Sequence, residues 1–477
     1  MITPENYRSY RDLPSAAGVC SIADAAKIGF SVDECVRRLK RHHWAMKRLH
    51  QAFIERISSE PVYELKMGFS LHSHYCAEHA AAWRKRVGEM REPPLGLDNP
   101  PDKALDIFFD EVLAAPDAEA FLIGAYEHAL PALRAALERH RDDTNHLVDH
   151  PSFRICRFAL IEVEEMIDFG NRCTAKLMSA MRREELASWT DTLKELLAQA
   201  GGLDGSKPAL KGAPVRLLSA VPRKFDGVPR RDERFPDPYN MGVHAEAFLY
   251  DPKFPPEPKT LMLYYKRLRE IDVPEMMASI IAETRGKPWA YTVDMTRQLW
   301  DEARHAIMGE VGFAHAGIDW AQLVPINFTW SLALNTQLTP VERHAVLYYI
   351  EQGLMPKTGK RFEWEVGTAS GDAYPRMIQD YDWADEVLHA HIGREWYARA
   401  YGDSKQAIDY GDRCWSKVLI DWASYKEKGL TQHRNWWPGA YGAWCAAHGR
   451  QPDPAVLAYD TSYAAQRADL KDVSVSA

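Results

Sequence analysis

Two short segments in the second half of the chain carry the same pattern. Trp300-Asp301-Glu302-Ala303-Arg304-His305 and Trp383-Ala384-Asp385-Glu386-Val387-Leu388-His389 each place Asp-Glu-x-x-His in a stretch of helical apolar spacing. At 3.6 residues per turn, positions i and i+3 share a face, so each Glu and its His point the same way. One Glu-x-x-His is a weak signal, because that spacing arises by chance in many helices. Two copies, on the second and fourth of four successive helices, ask for a bundle in which those faces meet.

The rest of the chain fits an all-α reading. Its 477 residues are enough for two core-forming units. Residues 1–200 read as a helical bundle, with long amphipathic stretches at 31–57 and 61–90. A third begins at Asp117, a residue suited to N-capping, and a fourth follows Pro151. Pro131 is expected to kink the third or break it. Residues 201–258 hold ten of the 29 prolines and no sustained periodicity, which predicts a linker or a wrapping arm. Residues 259–402 supply the four-helix bundle and 403–477 a C-terminal helical extension.

Composition narrows the function. A net charge of −8 disfavours nucleic-acid binding. No run of about 18 apolar residues exists to cross a membrane, and the N-terminus lacks a secretory pattern. Seven cysteines without a CxxC pair suggest neither a disulfide framework nor a thiolate zinc site, so a reduced, cytoplasmic protein is expected. No P-loop, GxGxxG or nucleophile elbow is present.

If the paired motifs bind metal, the first and third helices must add carboxylates. Glu351 lies 35 residues before Glu386, about the distance an antiparallel helix pair needs to return to one level. Glu342 is the alternate. On the first helix Glu275 lies 27 residues before Glu302, whereas Glu283 is nearer the turn and Glu270 precedes Pro274, outside the expected helix. Four carboxylates and two imidazoles suit iron or manganese better than copper or zinc. Without metal, burying that many acids would cost several kcal/mol each. Asp301 and Asp385 are placed either to orient the histidines or to face outward.

With a glutamate one helix upstream of each motif, WDEARHA and DWADEVLHA resemble the ferritin-like di-iron carboxylate superfamily. The DEARH string looks like the ferritin-like domains of uncharacterised bacterial proteins. The resemblance covers residues 258–402. It implies Glu275, Glu302, His305, Glu351, Glu386 and His389 as ligands of two iron ions, or of a manganese–iron pair, with Glu302 and Glu386 at the catalytic centre. It further implies an oxidoreductase that uses O2 to hydroxylate, desaturate or N-oxygenate a small organic substrate. An electron-donor protein and a second copy of the chain are candidate partners. A non-catalytic scaffold or metal-binding protein is the alternative.

Other signals are weaker. Glu127 and Glu162 are also 35 residues apart, Glu162-x-x-Glu165 stands where Glu-x-x-His would, and His72, Cys76 and His79 share a helix face. A degenerate copy of the bundle explains these better than a second working site. Tyr381 and Trp383 read as packing rather than an electron relay. Trp436-Trp437 could cover a channel, and the loop Lys357-Thr358-Gly359-Lys360-Arg361 reads as a solvated turn.

Overall fold

Every regular element among the described residues is helical, and no strand occurs. The computed structural model describes residues 1–91, 96–419 and 424–462. The chain divides into two compact units: residues 1–53 with 72–224, and residues 54–71 with the chain from 225 onward. Among the described residues no helix is long and apolar enough to cross a membrane.

The first unit is built on α1 (Val32–Ile57) and α2 (Tyr63–Glu89), whose facing ends, 54–57 and 63–71, belong to the second unit. It continues through α3 (Lys103–Leu113), α4 (Ala118–Asp143), α5 (His150–Leu177) and α6 (Ala187–Gln199). Asp102 and Asp117 cap α3 and α4, each accepting a backbone N–H at 2.9 Å. Pro131 does not break α4. The helix widens into a π stretch over Leu122–Ala129 just before it, and wider turns are one way a helix absorbs the donor that proline lacks. The proline-rich segment is held by its own polar bonds. The buried Glu111 carboxylate accepts the backbone N–H groups of Leu217, Leu218 and Ser219 at 2.7, 2.8 and 3.0 Å.

The second unit holds α7 (Pro256–Arg269), α8 (Asp272–Glu283), α9 (Trp289–His315), α10 (Thr329–Gln337), α11 (Pro340–Gly353), α12 (Lys360–Ala369), α13 (Ala373–Trp396) and α14 (Ser404–Leu419). α7 and α8 are one rod interrupted at Glu270-Ile271. Pro274 has no N–H to give the Glu270 carbonyl, and Val273 N–H bonds that carbonyl instead at 3.0 Å. α7 packs on α9, α9 on α13 and α13 on α11, while α8 lies against α9 and α11. The α7–α9 approach is close because Gly309 meets Leu268 backbone, where a Cβ would sit 2.2 Å from its nitrogen. α11 starts with a capping box, Thr339 with Glu342, which occupies the alternate third-helix carboxylate.

Candidate metal centre

The two Asp-Glu-x-x-His motifs lie on α9 and α13, and their Glu and His side chains are all buried. Glu302 stands between the histidines. Its Oε1 is 3.1 Å from His389 Nδ1 and its Oε2 is 3.6 Å from His305 Nδ1. Around His389 gather Glu302, Glu351 and Glu386, with ligand atoms all within 4.8 Å of one another. Around His305 gather Glu270 Oε2 at 3.6 Å and Asp382 Oδ1 at 3.5 Å, together with Glu302. Ligands about 2.1 Å from one ion stand roughly 3–3.6 Å apart, and each histidine's Nδ1 keeps that spacing from its carboxylate neighbours.

The bonding of each side chain indicates what the groups are for. Glu270 Oε2, His305 Nδ1, Glu351 Oε2, Asp382 Oδ2, Glu386 Oε2 and His389 Nδ1 are buried with no hydrogen-bond partner. An orphaned buried polar atom is expensive, and six in one place are not the accident of a packed core. Meanwhile the opposite ends of the same side chains are satisfied. His305 Nε2 lies 3.1 Å from Asp385 and His389 Nε2 lies 3.4 Å from Asp301, so each motif's Asp serves the other motif's His. Arg304 joins the two aspartates at 2.7 Å each. Gln298 donates to Glu351 Oε1 at 3.1 Å.

Two buried cations complete the shell. Lys360 Nζ lies 2.8 Å from Glu386 Oε1, 2.9 Å from Asp382 Oδ1 and 3.5 Å from Glu270 Oε1. Arg267 pairs with Glu270 at 2.9 Å and with Asp382. The titration behaviour follows. Burial and the neighbouring Glu386 and Glu302 push the Glu351 carboxyl well above its usual range. Burial also pushes Glu386 up, but Lys360 and the nearby Glu351 and His389 outweigh it and hold it well below. Burial lowers His389, and its contacts with Asp301, Glu302 and Glu386 outweigh that, leaving it well above its ordinary value. His305 is raised in the same way by Asp385 and Glu302 against its burial.

Of the six ligands expected from sequence, five come together: Glu302, His305, Glu351, Glu386 and His389. Glu275 does not. Its carboxylate pairs with Lys66, accepts from Arg231 at 3.0 and 3.1 Å, and accepts from Ser331 at 2.6 Å. The break before Pro274 accounts for the exchange: α7 ends at Arg269, and the carboxylate of Glu270, its C-cap, rather than that of Glu275, lies against His305. Glu283 pairs with Arg343.

Sequence reasoning also missed Asp382 and Lys360. Asp382 lies one turn before Glu386 on the same face, a signal available in the spacing. Lys360 has none: it belongs to the loop expected to be solvated, yet it is 1% exposed at the first position of α12.

The first unit gathers its weaker candidates differently. Glu127 pairs with Arg183 at 2.8 Å, Glu162 with His79 at 2.6 Å, and His72 with the Tyr126 hydroxyl at 2.6 Å. Its one potential ligand group among the described residues is Cys35, His140 and Asp149. Asp149 there is already bonded by Arg86 at 2.8 Å and Thr144 at 2.9 Å. Tyr381 is 62% exposed, while Trp436 and Trp437 lie in the second unit's apolar core.

A cavity of about 210 Å³ adjoins the centre. Glu270, Glu302, Glu351, Glu386 and Lys360 line one side of it, and Trp330, Leu334, Leu354 and Trp415 belong to its apolar wall. Comparisons with family models, with curated proteins and with solved structures found no match to this chain.

Proposed function

We propose that the second unit is a ferritin-like bundle holding two iron ions, and that the protein is a non-haem di-iron oxidoreductase acting with O2 on a small organic substrate. The observation that carries this reading is the set of five orphaned ligand atoms, on Glu270, His305, Glu351, Glu386 and His389, gathered around Glu302. The donor set, carboxylate oxygen with two imidazole nitrogens, suits iron, with a manganese–iron pair as the variant. In this reading Glu302, Glu351, Glu386 and His389 would hold one ion, and Glu270, His305 and Asp382 would hold the other. When bound, such a pair supplies electrons to O2 and so the oxidising power for the substrate.

The chain's own residues set the conditions. Asp301 and Asp385 accept from the outer nitrogens of the two histidines and so keep each Nδ1 lone pair turned inward. Lys360 and Gln298 fix the outer oxygens of Glu386 and Glu351, leaving one oxygen of each for coordination. The apolar wall keeps water from the side where substrate would lie. The electrons that renew the centre come from a separate donor protein, in a reducing cytoplasm.

One observation favours the alternative, a metal-free or non-catalytic scaffold: Lys360 and Arg267 already neutralise part of the acid group. Metal content separates the two. Under anaerobic conditions the full-length protein is expected to take up about two Fe(II) per chain and then to consume O2 on exposure to air. Glu302→Ala and His389→Ala should each lower the iron content. Wild-type protein that takes up no iron, with both variants indistinguishable from it, would leave the scaffold reading standing.

A further inference from the structure

Cys35, His140 and Asp149 come from three separate places in the first unit. Cys35 lies near the start of α1, His140 in the last turn of α4, and Asp149 directly before α5. Cys35 is 105 residues from His140 and 114 from Asp149, so no short spacing of the CxxC kind announces them in the sequence. The three side chains nevertheless meet. Cys35 Sγ is 3.2 Å from Asp149 Oδ2 and 3.7 Å from His140 Nε2, and that nitrogen is 3.8 Å from the same oxygen. Around a tetrahedral zinc, with bonds of about 2.3 Å to sulfur and about 2.0–2.2 Å to nitrogen and oxygen, such atoms stand roughly 3.3–3.6 Å apart. Each side of the triangle lies close to that range.

The outer part of each polar group is held. Arg86 donates to Asp149 Oδ1 at 2.8 Å, and Thr144 takes one lone pair of Oδ2 at 2.9 Å. His140 Nδ1 is 3.1 Å from His42 Nε2. The inner ends are poorly served by comparison. The thiol has one proton, and Asp149 is its nearer acceptor. His140 Nε2, on a side chain with no exposure, then has the carboxylate 3.8 Å away, past hydrogen-bond range, and the sulfur at 3.7 Å as a weak partner. A buried imidazole nitrogen so weakly satisfied, facing a thiol and a carboxylate, is a donor that a cation would use. The donor set also differs from that of the second unit. One sulfur, one nitrogen and one oxygen are softer than a cluster of carboxylates and suit zinc rather than iron or manganese.

We infer that the first unit carries a zinc site of its own, in which Cys35 Sγ, His140 Nε2 and Asp149 Oδ2 hold one Zn(II). The cation takes the place of the thiol proton, which leaves to solvent, and the thiolate and carboxylate match its two charges. Arg86 stays on the outer oxygen of Asp149 and His42 on the outer nitrogen of His140, fixing both ligands. Ser152 Oγ, 3.8 Å from Cys35 Sγ, stands beside the site as a fourth donor. The ion ties the start of α1 to the end of α4 and the start of α5, so its part is structural. Nothing in this site depends on the iron reading of the second unit.

The test uses the full-length protein stripped of metal and titrated with Co(II). Cobalt enters zinc sites and gives a sulfur-to-metal charge-transfer band in the near ultraviolet only where a thiolate binds it. The wild type is expected to develop that band with about one Co(II) per chain and to lose it when Zn(II) is added. Cys35→Ser, which keeps a donor for Asp149, should lack the band, and Glu302→Ala, which alters the second unit's centre, should keep it. No band in the wild type would overturn the inference. So would a band that survives in Cys35→Ser, since another thiol then carries it, or one that disappears in Glu302→Ala. X-ray absorption at the zinc edge, on Glu302→Ala holding one Zn(II) per chain, asks the same question with Cys35 untouched. One sulfur neighbour at about 2.3 Å supports the site, and nitrogen and oxygen neighbours alone overturn it. Failure of the iron reading has a different signature: no iron uptake, with the cobalt band intact.

Discussion

Three carboxylates, those of the buried Asp382 and Glu386 and the half-buried Glu270, meet at one ammonium, that of Lys360. Removing it leaves those acids with Arg267 and the two histidines, and breaking a buried ion pair from one side typically costs about 3–5 kcal/mol. Lys360→Met should therefore lower the denaturant-derived stability of the metal-free protein by about that amount, and Lys360→Met with Asp382→Asn should regain part of it. Added Fe(II) should raise the Tm of the single variant more than that of the wild type. The same residue shows where sequence reading stops. Glu302, His305, Glu386 and His389 were legible because helical periodicity fixes which side chains share a face. Glu351 followed from the length of an antiparallel return. Lys360 is at a loop–helix junction, where periodicity gives no direction, and only packing decides that its stem runs inward.

At the scale of elements, the break between α7 and α8 sets the composition of the centre. A first helix that starts near Pro274, as the spacing implies, leaves Glu270 outside it and favours Glu275. The interrupted rod presents Glu270 at the end of α7 and leaves Glu275 one turn beyond, bonded to Lys66, Arg231 and Ser331. The two glutamates should part company when altered. Glu270→Gln is expected to weaken metal binding at least tenfold with little change in fold, measured by competition with a chelator. Glu275→Gln is expected to leave metal affinity nearly unchanged and to cost about 3 kcal/mol or more of stability, because it removes the buried carboxylate that pairs with Lys66 and that Arg231 shares with Asp272. The all-α class was legible from the sequence, since long amphipathic stretches with stop signals admit little else. The bend was written in Pro274, but its effect on the register of the ligands depends on how α8 settles against α9 and α11.

Over the whole molecule, the units are not consecutive. Residues 54–71 contribute Tyr63 and Met67 to the apolar core of the second unit and Lys66 to the Glu275 cluster, yet they are flanked on both sides by residues of the first. No composition shift marks them, so a linear reading of the chain has no means to assign them. A truncated chain of residues 225–477 should lack a cooperative thermal transition by calorimetry; addition of a peptide spanning 54–71 should restore it in part. The arrangement also has a consequence for biosynthesis. At about 5–20 residues per second, roughly 15–65 s pass between translation of residue 71 and of residue 396. During that interval Tyr63 and Met67 wait in the nascent chain without their neighbours, so the helical hairpin that completes the second unit is the first part of it to be made and the segment most dependent on protection until the ribosome has finished.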